Sequence, residues 1–178
     1  MPLVILEGAD GSGKSTLATR LLKGTGHPTI LIKRSGPPGN VETLVFQSEW
    51  IAQQSRLGLN VIADRHPIIS EAIYAPVVRK VPGPHWGPED AYKALKHQRV
   101  MLVYCRTDDV TQRGSSHVED QMEGVHEYYQ DLVKEYDRWM DYIQDKGVLF
   151  YQYNYWNDPK AENVTGVIRN FWEGKWTV

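Results

Sequence analysis

The sequence predicts a three-layer α/β domain: a five-stranded, mostly parallel sheet with helices on both faces. Three observations predict it. Short apolar runs bounded by turn residues alternate with longer segments of helical period, as strands do when helical crossovers join them. The first run ends in a Gly-rich turn that opens straight into a helical segment, a strand–turn–helix junction whose backbone amides suit an anion. A chain of 178 residues, 41% hydrophobic and 24% charged, fits one domain around one core, spanning 1–178.

Leu3 to Leu6 is a continuous apolar run, suited to a strand buried on both faces. Ser15 to Lys23 follows as a helix with Leu17, Leu21 and Leu22 on one face, and Gly24 and Gly26 end it. Thr29 to Ile32 reads as the second strand, closed by the breaker Ser35-Gly36-Pro37-Pro38-Gly39. Val41 to Arg56 carries Val41, Leu44, Val45, Trp50 and Ile51 at helical spacing, and Gly58 stops it. Asn60 to Ala63 is the third strand, ending at Asp64-Arg65, and Ile68 to Val78 is helical with Pro67 in its first turn. Val81 to Pro88 holds three prolines and reads as an extended loop. Val100 to Tyr104 is the fourth strand, Gln121 to Asp145 a long helix, Val148 to Tyr153 the fifth strand, and Ala161 to Trp172 the closing helix.

Composition removes several classes of function. A net charge of −2 gives no bulk field for nucleic acid or an anionic membrane. The single cysteine, Cys105, excludes an internal disulfide and suits a reducing compartment. No run approaches a membrane span and the N-terminus lacks a signal-peptide pattern, so a soluble, cytoplasmic protein is expected. The six histidines show no metal-ligand spacing.

The chemistry concentrates in Gly8-Ala9-Asp10-Gly11-Ser12-Gly13-Lys14-Ser15, which matches G-x-x-x-x-G-K-[ST]. Glycines let backbone N–H groups close on phosphate oxygens, and the helix that follows presents its positive end to the same anion. Residues Gly8 through Thr16 are therefore the expected ATP-binding segment. Lys14 would reach the β- and γ-phosphates, and the Ser15 hydroxyl would complete a Mg²⁺ shell. No N-K-x-D segment is present to read guanine as a GTPase switch does.

The segment Leu6 to Thr16 closely resembles the EGxDGxGKST opening of thymidylate kinases, and Val61-Ile62-Ala63-Asp64-Arg65-His66 resembles their strand ending in Asp-Arg-Tyr. Asp64 to Tyr74 is similar to small phage-type deoxynucleotide kinases of that superfamily. The resemblance is sharp over residues 3–24 and 59–79 and architectural elsewhere. It implies a P-loop kinase fold and a deoxynucleoside monophosphate kinase that uses ATP and Mg²⁺. It further implies that Arg65 holds the acceptor phosphate, that Asp10 faces the acceptor sugar, and that Tyr74 matches the ribose-excluding tyrosine, one position displaced. Arg65 suits that role chemically, because a guanidinium grips phosphate in two places. Asp64 is the natural carboxylate for Mg²⁺, with Ser15. Glu7 either orients groups around the loop or caps, and His66 either touches substrate or packs.

Between the fourth strand and the long helix, kinases of this class carry a mobile lid with arginines. Here that segment is short, about 106–120, with Arg113 as the first choice for catalysis beside Lys14, Asp10 and Arg65, and Arg106 as the second. Both arginines read equally well as solvated charges. Where thymidylate kinases have Phe-Pro-Arg, this chain has Lys33-Arg34-Ser35, so Arg34 can reach the acceptor phosphate but no aromatic ring stands at that position. Gln47, Trp50, Gln54, Ser70 and Glu71 are candidate lining for the base. Glu71 can accept from guanine N1–H and N2–H, which keeps dGMP open beside dTMP. Asn154 to Pro159 is expected around the donor adenine. Tyr128, Tyr129, Tyr136, Trp139 and Tyr142 read as core or dimer surface. The expected partners are thus ATP and a deoxynucleoside monophosphate, with a homodimer possible and no membrane or stable nucleic-acid partner. The alternatives are a deoxynucleoside kinase of the same fold and a polynucleotide 5′-kinase or DNA-dependent ATPase. The basic Lys33-Arg34, where nucleoside kinases often place Glu, argues against the first.

Overall fold

The period-two alternation of strand side chains divides the apolar residues between two faces. Leu3, Ile5, Val61, Ala63, Val100 and Leu102 join one buried cluster, while Val4, Leu6, Ile62, Met101 and Val103 join another. The computed structural model describes residues 2–33, 40–83, 85–96, 99–107, 125 and 127–175. Its elements run β1 (Leu3–Glu7), α1 (Lys14–Gly24), β2 (Thr29–Lys33), α2 (Val41–Arg56), β3 (Asn60–Asp64), α3 (Pro67–Val77), α4 (Pro88–Leu95), β4 (Val100–Cys105), α5 (Tyr129–Asp145), β5 (Leu149–Tyr153) and α6 (Glu162–Trp172).

The five strands form one sheet in the order β2-β3-β1-β4-β5, and all four pairings are parallel. Side chains of α1 and α6 fill one face through Leu17, Leu21, Val164, Ile168 and Phe171. Those of α3 and α5 fill the other through Ile69, Ile73, Leu132, Tyr136 and Ile143. The chain leaves β1 toward β2 on one side, and leaves neighbouring β4 toward β5 on the other. Such a switch point opens a crevice at the carboxyl ends of the strands, where open parallel sheets receive ligands.

Two elements depart from the sequence expectation. The long helix begins at Tyr129, not Gln121: Val125, Glu127 and Tyr128 lie in turns, and 121–124 and 126 fall outside the described residues. From Tyr129 onward the buried stripe Tyr129, Leu132, Tyr136, Trp139, Met140 and Ile143 runs along one face, and its packing holds that stretch helical. α4 was not anticipated. Pro88 opens its first turn, Glu89 and Asp90 follow, and the Asp90 side chain accepts from the Gly87 N–H at 2.9 Å. The turn content of 81–88 masked these start signals. Among the described residues, no helix is long and apolar enough to cross a membrane.

Candidate functional site

The strand alternation that builds the core also aims the polar residues at the strand ends. Glu7 follows Leu6 on β1 and therefore shares the face of Leu3 and Ile5, toward α5. Asp64 shares the face of Ile62, toward α1. The Asp64 carboxylate accepts from the Ser15 hydroxyl at 3.0 Å. Sequence positions 49 residues apart are thus joined at the mouth of the phosphate loop, and Leu6 lies directly beside Asp64 in the sheet register.

The loop itself is tightly seated. Gly8 has φ +139°, and a Cβ there would lie 2.2 Å from the carbonyl oxygen of Cys105 at the end of β4. Gly13 has φ +85° just before α1. Lys14 is buried, its ammonium donating to Gly8 O at 2.8 Å, Ala9 O at 2.6 Å and Ser12 Oγ at 3.2 Å. Burial, with the nearby Arg65 charge, pulls its pKa from the usual 10.5 down to about 8. A lysine held this way is short of an anion, which is what a phosphate would supply.

Arg65 leaves β3 in an unusual backbone conformation, with φ +80°. A non-glycine residue there costs on the order of 1–3 kcal/mol and persists where the surroundings impose it. Here its N–H is fixed by Leu6 O at 3.0 Å, and the next N–H, of His66, by the Glu7 carboxylate at 2.5 Å. The Arg65 guanidinium donates to Tyr74 Oη at 3.0 Å, to Tyr136 Oη at 3.1 Å, and to the Asp10 carboxylate. Tyr74 Oη also accepts from the Asp10 backbone N–H at 3.0 Å. The guanidinium carbon lies 4.8 Å from the centre of the Tyr74 ring.

Behind this layer, Tyr136 Oη donates to Glu7 Oε2 at 3.2 Å, and Ser70 Oγ donates to the same carboxylate at 3.3 Å. Burial pushes the Glu7 carboxyl up against the opposing pull of Arg65. Burial would raise Asp10 as well, but Arg65 and Lys14 outweigh it and hold the group below its usual range. On the adjoining α5 residue, the Asp137 carboxylate accepts from Tyr104 Oη at 2.8 Å and Arg106 Nε at 2.9 Å.

The structure thus brings Asp10, Lys14, Ser15, Asp64, Arg65 and Tyr74 to one end of the sheet. Arg34 and Arg113 lie outside the described residues, as do 108–120 of the expected lid; Arg106 is paired with Asp137. His66 is buried, and Ser70 turns to Glu7 rather than to open space. Trp50 is exposed on α2. The helical stripe assigned Tyr136 to packing, and it is buried in the core; its hydroxyl in addition reaches Arg65 and Glu7. No sequence signal separates it from the other tyrosines of α5, because its partners lie 71 and 129 residues away. Tyr155 packs on Gly13, with the Arg20 guanidinium 5.2 Å from its ring centre, within the segment expected around the donor base.

A Mg²⁺ ion taken up with ATP needs one or two protein oxygens and completes its shell with phosphates and water. The Ser15 hydroxyl and Asp64 carboxylate, already in contact, are hard oxygen donors that fit it. Among the described residues, no three His, Cys, Asp or Glu side chains gather as a metal site of their own.

No family model and no curated protein matches the chain. Solved structures do. The YorR protein of Bacillus subtilis, in complex with phosphorylated GDP, superposes with a TM-score of 0.70 at 21% identity, covering 99% of both chains. Deoxyadenosine kinase from M. mycoides, with the products dCMP and dCDP, gives 0.61 at 16% identity over 96% of this chain and 100% of that one. Shikimate kinase from Acinetobacter baumannii, with shikimate, gives 0.58 at 18% identity over 100% and 96%. These likenesses establish the fold: the chain is an α/β protein of the P-loop kinase fold.

Proposed function

We propose that the chain is a deoxynucleoside monophosphate kinase, transferring the γ-phosphoryl group of ATP to dTMP or dGMP to give the diphosphate and ADP. The observation that carries this reading is the meeting of two cations from opposite sides of the site, Lys14 in the phosphate loop and Arg65 at the end of β3, with Asp10 paired to Arg65. Aligning two phosphate groups calls for a cation on each, and little covalent help beyond that.

The loop amides and Lys14 bind the donor phosphates. Arg65 holds the acceptor phosphate, whose oxygen is already ionised, so no side chain need remove a proton. That oxygen attacks Pγ as the bond to the β-phosphate oxygen breaks, and charge growing on ADP falls on Lys14 and the loop amides. Ser15 and Asp64 would hold Mg²⁺, which screens the phosphate charges. Asp10 and Tyr74 fix the guanidinium and lie where the acceptor sugar would pass. Arg34 and Arg113 are proposed to add charge to the acceptor and transferring phosphates. Two neighbours in fold carry bound nucleotides, a phosphorylated GDP in one and dCMP with dCDP in the other, and this supports a nucleotide as acceptor.

The test is a transfer screen with ATP–Mg²⁺ against deoxynucleosides, their monophosphates and a 5′-hydroxyl oligonucleotide. Turnover of monophosphates is expected, abolished by Lys14→Ala and impaired chiefly on the acceptor side by Arg65→Ala. Turnover only of nucleosides or the oligonucleotide would sink the reading.

A further inference from the structure

The sheet has a second end, where β4 and β5 begin. A cavity of about 200 Å³ opens there, between Val100 and Leu149 on the strands and the last residues of α4 and α5. Five residue steps along β4, from Val100 to Cys105 beside the phosphate loop, separate the two ends by about 17 Å. Leu95, Val100 and Leu149 give the cavity apolar walls and Tyr92 an aromatic one. Lys96, Arg99 and Lys146 line it too, and no carboxylate is among the described residues that do. The chain as a whole carries a net charge of −2, so three cations around one hollow are a local feature and not the general character of the surface.

The three cations are held in place without being neutralised. Lys96 and Lys146 cap the ends of α4 and α5, their ammoniums 6.0 Å and 5.3 Å from the ring centres of Tyr92 and Tyr142. Arg99 donates to the Phe171 carbonyl of α6, with its guanidinium carbon 5.0 Å from the Phe171 ring centre. All three are exposed, and among the described residues none forms an ion pair with a carboxylate. Glu89 of α4, which feels Lys96 and Lys146, is itself paired with Lys93 and bonded to Tyr142. The carbonyl ends of α4 and α5 carry about half a negative charge each, and so offset about one of the three positive charges. About two remain, beside apolar walls that strengthen their field. Service to the helix ends accounts for the lysines but not for Arg99, which belongs to neither helix.

We propose that this cavity binds a small organic phosphate at a site separate from the phosphate loop. A phosphate ester carries about 1.5–2 negative charges at pH 7 and three strong acceptor oxygens, which matches the charge left over and the three donors around it. A guanidinium grips two such oxygens at once, and an ammonium serves the third as a point charge. The carbon skeleton of the ester lies on Leu95, Val100 and Leu149 and against the Tyr92 ring, contacts that inorganic phosphate cannot make. At about 200 Å³ the cavity is smaller than the ~300–1,000 Å³ of drug-sized pockets, so it takes one ring with its phosphate in preference to a whole nucleoside triphosphate. Nothing in this inference depends on the kinase reading of the other end of the sheet.

The test is a titration of the ¹⁵N-labelled full chain followed by NMR, with phenyl phosphate as the probe and inorganic phosphate as the head group alone. Phenyl phosphate should shift the backbone amides of Lys96, Val100, Gly147 and Leu149 saturably, whatever it does separately to Gly8 through Ser15. Its affinity read at those four amides should exceed that of inorganic phosphate by about fivefold or more, because the ring buries apolar surface. The double variant Lys96→Gln with Lys146→Gln should weaken it by about tenfold, and raising the salt from 50 to 500 mM should weaken it in the wild type. Both lysines are exposed, so the double variant should melt close to the wild type; Arg99→Gln, which also gives up the Phe171 contacts, is the second variant and should weaken binding likewise. Shifts confined to residues 8–15, or none that saturate at the four amides, would overturn the proposal. So would unchanged affinity in the double variant. Equal affinity for inorganic and phenyl phosphate would reduce the site to an adventitious anion only, and overturn it as a site for an organic ester.

Discussion

Replacing Tyr136 by Phe removes one oxygen from the centre of the site and little else. The ring stays between Tyr104, stacked with centroids 6.1 Å apart, and Tyr74, edge-on at 6.3 Å. The lost hydroxyl bridges Arg65 at 3.1 Å and Glu7 at 3.2 Å. Both bonds involve charged groups, each worth about 1.5–3 kcal/mol when made. Ser70 and the His66 N–H still satisfy Glu7, and Tyr74 and Asp10 still hold Arg65. A net loss of about 2 kcal/mol is therefore expected in urea unfolding, toward the lower end of that range. Kinetically, Arg65 should loosen without leaving the site. The expected result is a drop of about tenfold in kcat/KM for the acceptor, or roughly 1.4 kcal/mol, with KM for ATP unchanged. A coupled ADP-release assay with the two substrates varied separately reads this directly. Unaltered acceptor kinetics, or an equal rise in both KM values, would refute the claim that Tyr136 positions Arg65.

Two further outcomes follow from the loop. With Lys14 at about 8 in place of 10.5, an unfolded chain holds this proton at pH values where the folded chain has released it. Stability from this group therefore rises with pH between those values. Bound phosphate favours the charged form, so ATP binding at pH 8.5 should take up protons, seen as buffer-dependent heats in calorimetry and absent in Lys14→Met; buffer-independent heats in the wild type would contradict the shift. Gly8→Ala would drive a methyl group into the Cys105 carbonyl at 2.2 Å and strain φ +139°. A loss of at least about 2 kcal/mol is expected, and an unchanged melting temperature would show that the loop can move away from β4.

The sequence by itself determined the fold class and where the phosphate-loop pattern lies along the chain. Apolar runs of period two or helical period depend on neighbours a few residues away, so β1, α1 and β3 were legible. The phosphate-loop spacing was legible for the same reason, because Gly8, Gly13, Lys14 and Ser15 act within one turn. Tertiary structure decided the rest. Parallel register set Asp64 next to Leu6 and opposite Ser15, and strand parity turned Glu7 toward α5 instead of α1. Tyr136 belonged to the site only once α5 was packed on that face, and Glu71 paired with Arg79 only once the chain had turned back at Lys80. α4 went unread because its start signals lie inside a proline-rich loop. Local patterns specify which residues are buried, but only packing specifies which buried polar groups share a charge.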